Sequence, residues 1–228
     1  MEALNLPKHV GIIMDGNGRW ATARKKNRSY GHQVGSKNVD KIVSHAFKRG
    51  VQALTLYAFS SENWARPKEE VDKLMKLIEE YLKKFIKKVI KNGVRLKIVG
   101  SREMLSSNLV QLINECEEKS NLNTDRQLNI ALNYGARGEL VRAVNKLVLE
   151  NKEITEQSIL ESLDTADSGE VDLIIRTGGE KRLSNFLLYQ GAYSELYFTD
   201  VLWPDFDEQE FDKAMEEFSN RNRRFGKV

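Results

Sequence analysis

In the run Val10-Gly11-Ile12-Ile13-Met14-Asp15-Gly16-Asn17-Gly18-Arg19-Trp20, a short apolar segment leads into a Gly-x-Gly turn. Residues 10–13 read as a buried strand, and the residues after Gly18 read as the start of a helix. Backbone amides freed by such a turn cradle an anion, and Arg19 adds a fixed positive charge. Asp15 is discordant, because a bare carboxylate at the mouth of a phosphate site repels phosphate. A divalent cation between the two removes the conflict, so the run points to a metal–diphosphate site.

Outward from this unit, strands and helices alternate. Residues 36–49 carry a helical pattern stopped by Gly50, and residues 53–59 form a second strand. The polar loop Ser60-Ser61-Glu62-Asn63-Trp64-Ala65-Arg66 follows, and Pro67 opens a long helix. Its apolar stripe runs through Val71, Leu74, Met75, Ile78, Tyr81, Leu82, Phe85, Ile86, Val89 and Ile90, with Asn92-Gly93 closing it. Residues 94–99 are a third strand, 106–120 a helix and 127–132 a fourth strand, ended by the turn Asn133-Tyr134-Gly135. A helix carrying Leu140, Val144, Leu147 and Val148, a short helix over 155–163 and a fifth strand over 171–175 come next. Residues 183–193, apolar almost all round, read as a buried helix, and 195–198 as a sixth strand. Asp207 with Glu210 resembles a capping box before a final helix.

The expected fold is α/β: a single domain over residues 1–228, with a six-stranded, mostly parallel sheet flanked by helices. Ligands of such sheets bind beyond the carboxyl ends of the strands. Asp15, the 60–66 loop, Asn133 and Arg176 all fall at those ends.

Composition narrows the function. The 36 basic and 33 acidic residues leave a formal charge of +3, too even a balance to suggest a nucleic-acid partner. The single cysteine, Cys116, makes no internal disulfide and suits a reducing compartment. No apolar run approaches the roughly 20 residues of a membrane span. Residues 1–7 lack the layout of a signal peptide, so a soluble, cytoplasmic protein is expected.

Gly16-x-Gly18-x-x-Ala21 also matches a dinucleotide fingerprint. That reading needs an acidic residue about 20 positions on, at the end of the second strand, and none stands in register. An ordinary Gly turn capped by Asp remains open for the run taken alone. Arg19, Arg28, Arg66, Arg176 and Arg182 weigh against it, since they lie in or near strand-end loops whose fold needs no such charge. His32 in Gly-His-x-x-Gly suits packing as well as a site, while His9 and His45 suggest only packing or surface roles. No zinc-spaced cluster or nucleophile elbow occurs, and Asp164-x-x-Asp167 reads as a solvated pair.

Five blocks together resemble the cis-prenyltransferase family. They are His9 to Trp20 with Gly31-His32, Leu54 to Trp64, Asn129 to Gly135, Ile175 to Phe186 and Glu195 to Phe206, and they span essentially the whole chain. The resemblance extends to the bacterial members that make undecaprenyl diphosphate, the lipid-carrier precursor for cell-wall polysaccharide synthesis. It implies repeated condensation of isopentenyl diphosphate onto an allylic starter, usually farnesyl diphosphate, with magnesium as cofactor. It implies Asp15 as the essential carboxylate and magnesium ligand, with Glu195 as a second magnesium-linked acid. Gly16, Asn17, Gly18, Arg19, Trp20, Arg28 and His32 match the allylic diphosphate site, completed by Ser60, Ser61, Glu62, Trp64 and Arg66. Arg176, Arg182, Leu183 and Ser184 match the isopentenyl diphosphate site. Asn63 is the family's candidate for assisting proton removal. An amide is a poor base, so the expected role is to orient a phosphate or water. Arg224-x-Gly226 resembles a terminal motif that reaches the site across a homodimer. The long helix and fourth strand are expected to wall a channel for the product. A non-catalytic partner subunit would be expected to have lost the Asp15 motif, whereas another product length stays open. Transient contact with a membrane face, helped by Lys83, Lys84, Lys87 and Lys88, is a further expectation.

Overall fold

The computed structural model describes residues 6–91 and 93–221, with the backbone alone over 85–91. The closing Asn92, the stripe's side chains from Phe85 onward, Lys87, Lys88 and the Arg224-x-Gly226 motif lie outside the described residues.

Six strands form one sheet: β1 (His9–Ile13), β2 (Ala53–Ser60), β3 (Val94–Val99), β4 (Arg126–Tyr134), β5 (Leu173–Arg176) and β6 (Glu195–Phe198). Their order across the sheet is β3-β4-β2-β1-β5-β6. All five pairings are parallel, which tightens the expectation of a mostly parallel sheet. A parallel sheet is covered on both faces, and β1, β5 and nearly all of β4 are accordingly buried. Helices α1 (Asn17–Ala23), α2 (Arg28–Lys48), α3 (Lys68–Lys91), α4 (Ser107–Ser120), α5 (Ala136–Leu149), α6 (Glu156–Ser162) and α7 (Glu208–Asn220) supply the cover. The larger apolar core includes Ile12, Ile42, Leu54, Leu56, Phe59, Leu82, Trp203 and Phe211. A second cluster includes Ile174, Tyr134, Phe186 and Leu187.

Three expectations change. Helix α2 begins at Arg28, capped by Asn27 whose side chain accepts from Tyr30 N, so Arg28 and His32 ride on a helix and not in a loop. Residues 183–193 are a chain of turns and not a helix. Ser184, Asn185 and Leu187 have φ of 50°, 62° and 46°, and three left-handed residues within four positions break a helix despite the apolar composition. On α5, Val148 is exposed, and the buried face is Ala136, Glu139, Ala143 and Leu147.

Pairing is regular except where β2 meets β4, with register shifts between Tyr57 and Phe59 and between Phe59 and Ser60. A bulge bends and re-aims a strand. Five successive residues, Leu56 to Ser60, consequently touch the same cavity, which strict alternation forbids.

Candidate active site

A cavity of about 410 Å³ opens at the carboxyl ends of β1, β2 and β5 and runs inward between the sheet, α2 and α3. Its mouth is charged and its interior apolar.

The mouth is built on the turn after β1. Gly16 has φ of 106°, left-handed backbone that a glycine adopts freely. Asp15 Oδ1 accepts from Gly16 N at 2.6 Å and meets Arg19 Nη2 at 3.1 Å. Asp15 Oδ2 accepts from Arg176 Nη2 at 3.0 Å. Burial pushes the Asp15 carboxyl upward, but the hydrogen bond from Arg176 and the charge of Arg19 outweigh it and hold the group below the ordinary carboxylate value. The carboxylate is therefore ionised at neutral pH and aimed at the mouth. Behind it, Thr177 Oγ1 donates to Asp15 O at 2.7 Å and Trp203 N donates to the same oxygen at 3.0 Å.

Arg176, 5% exposed, comes from the end of β5. Its Nη1 donates to Ser184 Oγ at 2.7 Å and to the Arg182 carbonyl, which gathers three of the four residues predicted for that site, Arg176, Arg182 and Ser184. Arg28 and Arg66 enter from α2 and the segment before α3, and both face Glu70, at 4.0 and 3.0 Å. Arg182 pairs with Glu180, which also lies 4.0 Å from Arg19. Five arginines thus share three carboxylates, Asp15, Glu70 and Glu180, leaving the mouth with surplus positive charge among the described residues. Arg176 Nε, His32 Nε2 and Asn17 Oδ1, on residues that line this cavity, are buried without a protein partner. Such orphaned atoms are costly unless a ligand or water meets them.

His32 is held neutral. Burial lowers its pKa to about 4, helped by the positive charges of Arg66 and Arg28. Asn63 closes the capping box of the turn Ser61–Ala65: its Oδ1 accepts from Ser60 N at 3.2 Å. With that oxygen engaged by the backbone, the side chain is a poor proton acceptor and a well-fixed orienting group.

Of the predicted residues, Asp15, Gly16, Asn17, Gly18, Arg28, His32, Ser60, Asn63, Arg66, Arg176, Arg182 and Ser184 line the cavity. Others stand behind or beside it. Trp20 is buried, donates its indole N–H to Asp205 Oδ1 at 2.7 Å and carries the Arg24 guanidinium 4.0 Å over its ring. Trp64 donates to Asn133 Oδ1 at 2.8 Å and packs edge-on against Phe59. Arg19 borders the mouth through Asp15. Ser61 donates to Glu62, and Glu62 accepts from Asn185. Leu183 packs against the second apolar cluster. Glu195 opens β6 in register with Leu173, itself level with Val10, so it sits at the opposite end of the strands from Asp15 and pairs with Arg221 at 2.7 Å. The two expected magnesium-linked acids are not brought together within one chain.

The helix and strand expected to wall a product channel line the apolar interior, together with residues given no site role. Leu77 joins Leu74, Ile78, Tyr81 and Leu82 of α3 in the apolar interior, facing Val39 of α2, Leu56 of β2 and Ile130 of β4. Trp203 roofs the turn, its indole N–H donating to Gly35 O at 2.9 Å. The apolar stripe of α3 signalled the first group. Nothing local in the sequence signals Trp203, which reaches the site from a distant turn.

No group of three or more His, Cys, Asp or Glu side chains that would cage a metal occurs among the described residues. Magnesium needs no such cage: it keeps waters and takes one or two carboxylates plus substrate phosphates. A single ionised carboxylate beside an arginine-rich anion site fits that pattern. No helix among the described residues is long and apolar enough to cross a membrane.

Comparison with known proteins gives a consistent picture. Residues 13–226 match the family model described as "Putative undecaprenyl diphosphate synthase". The chain is 51% identical to an isoprenyl transferase of Fusobacterium nucleatum, over 98% of this chain and 97% of that one. It is 49% identical to a ditrans,polycis-undecaprenyl-diphosphate synthase, (2E,6E)-farnesyl-diphosphate specific, of Salmonella paratyphi A, over 97% and 92%. A crystal structure of lavandulyl diphosphate synthase from Lavandula x intermedia, in complex with dimethylallyl diphosphate, superposes with a TM-score of 0.92 at 34% identity, covering 97% of this chain and 99% of that one.

Proposed function

The chain belongs to the undecaprenyl diphosphate synthase family and is an isoprenyl transferase, and we propose that it extends farnesyl diphosphate with isopentenyl diphosphate to undecaprenyl diphosphate. The observation that carries this reading is the arginine surplus at the mouth of an apolar cavity, which suits a ligand with a diphosphate head and a hydrocarbon tail.

The turn Gly16–Gly18 with Arg28 and His32 would hold the allylic diphosphate, and Arg176, Arg182 and Ser184 the isopentenyl diphosphate. Negative charge grows on the allylic diphosphate as it leaves, so fixed arginines stabilise the transition state more than the ground state. Magnesium, held by Asp15 and phosphate oxygens, would supply further charge neutralisation at the leaving group. Asn63 would orient the phosphate or water that receives the proton lost in coupling. The apolar wall would exclude water from the cationic centre. Glu195 and the terminal Arg224-x-Gly226 motif would act from the second copy of a homodimer, since Glu195 lies at the far end of its own sheet. The expected setting is the cytoplasm, with transient contact at a membrane face on product release.

Purified protein incubated with farnesyl diphosphate, labelled isopentenyl diphosphate and magnesium should yield polyprenyl products, whose lengths distinguish an undecaprenyl from a shorter or longer product. Asp15→Ala should lower turnover by about 10³-fold or more. Absence of elongation by the parent protein would sink the reading, and an active Asp15→Ala protein would sink the role of the carboxylate.

A further inference from the structure

Asn185 stands one residue beyond Ser184, and it touches the ends of two other strands. Its Nδ2 donates to Glu62 Oε1 at 2.8 Å, in the turn after β2. Its Oδ1 accepts from Arg137 N at 3.0 Å, and its carbonyl oxygen accepts from Ala136 N at 2.8 Å, at the start of α5 after β4. The backbone here is left-handed, with φ of 62°, a conformation that Asn adopts more readily than most residues. Phe186, fully buried and stacked on Tyr57 with 4.5 Å between ring centroids, fixes the chain just beyond. One residue therefore ties together the loops that follow β2, β4 and β5.

Glu62 has no place on the cavity wall, and its carboxylate is spent on Asn185 and Ser61. The Ser61–Ala65 turn that carries Glu62 also carries Asn63, while Ser184 and Arg182 lie on the other side of the bridge. We propose that the Glu62–Asn185 hydrogen bond sets the position of Asn63 against the isopentenyl diphosphate subsite, which makes Asn185 a positioning residue for the coupling step. This rests on the two-substrate reading above. The main diphosphate contacts lie off the bridge: Gly16 to Gly18, Arg28 and His32 on the turn after β1 and on α2, and Arg176, Arg182 and Ser184 on and after β5. Breaking the bridge leaves each substrate bound but shifts Asn63 against the isopentenyl diphosphate. A misplacement of about 1 Å costs on the order of 10² in rate.

The test uses Asn185→Asp, Glu62→Gln and the double variant in the full-length protein. Asn185→Asp keeps the acceptor for Arg137 N, removes the donor and sets two carboxylates against each other. In the double variant the bond is reversed, with the new amide donating to the new carboxylate. Asn185→Asp should lower the single-turnover coupling rate by about 30-fold, with the Kd for farnesyl diphosphate alone unchanged within about threefold. Adding Glu62→Gln should recover about tenfold of that rate. Amide hydrogen exchange of residues 61–65, measured without substrate, should rise in Asn185→Asp and return in the double variant. A double variant no faster than Asn185→Asp, or a Kd that rises in step with the lost rate, overturns the proposal. If the parent protein does not elongate, the two-substrate reading fails, and unchanged exchange in Asn185→Asp then refutes the bridge by itself.

Discussion

Arg176 shows how much chemistry one residue can organise. It is buried, yet its guanidinium serves Asp15 from one nitrogen and Ser184 with the Arg182 carbonyl from another. A planar fork is needed for this, and lysine provides only a point charge. Arg176→Lys should therefore lower turnover by about 10²-fold while the protein stays folded, as steady-state rates beside a urea melt would show. A rate within threefold of the parent would mean that charge alone suffices. Asp15, Gly16, Gly18 and Arg176 were legible in the sequence as one cluster because a Gly-x-Gly turn, an arginine and a discordant carboxylate fall together at the strand ends. Trp20 and Trp64 were not. An indole fits a ligand wall and a buried scaffold equally well, and partners far along the chain, Asp205 and Asn133, hold the two rings beside the cavity.

At the scale of elements, the seam between α1 and α2 sets the shape of the mouth. A Cβ on Gly31 would lie 1.9 Å from Asn17 O, and one on Gly35 2.0 Å from Asn17 Oδ1. Only glycine lets α2 approach the turn this closely. Gly31→Ala should cost about 2–3 kcal/mol and weaken diphosphate binding with it. Gly138→Ala on the exposed face of α5, with nothing nearer than Arg142 Nη1 at 3.7 Å, should instead stabilise by about 0.5 kcal/mol. Paired thermal melts check both signs. The same glycines explain why the start of α2 escaped the sequence pattern: they weaken helical periodicity where close contact is needed. The turns over residues 183–193 escaped for the opposite reason. Their apolar spacing looks helical, and left-handed backbone leaves no mark on hydrophobic periodicity.

For the molecule as a whole, acid stability has two windows. His9 is buried in β1, where Thr55 Oγ1 lies 2.7 Å from Nε2 and the Gly169 carbonyl 3.2 Å from Nδ1. Burial lowers its pKa from 6.5 to about 4, as it does for His32. The unfolded chain takes up these protons first, so stability falls as pH drops from about 6.5 towards 4. The loss is on the order of 2 kcal/mol for each histidine between pH 8 and pH 5. Asp15, whose carboxyl is held low, adds a loss only below its unfolded value of 3.8. Urea denaturation at pH 8 and pH 5 should show the first loss, and His9→Gln or His32→Gln should each flatten it; a flat parent profile would refute it. The alternation of strands and helices made the sheet and its carboxyl-end site readable in advance. The bulge in β2 and the reach of Trp203 to the Asp15 turn arise only from packing.

The order of strands has a further consequence, for the birth of the protein. β1 is central, but its neighbour β5 follows it by more than a hundred residues, and the Asp15–Arg176 contact spans 161 positions. Contacts this distant close late, because the intervening loop must first surrender its entropy. A nascent chain on the ribosome holds the Gly16–Gly18 turn, with Arg19 beside Asp15, early but lacks Arg176 until β5 emerges. The ability to handle a reactive diphosphate therefore arrives only as the sheet is being completed, and a truncated translation product would carry the recognition turn without the chemistry.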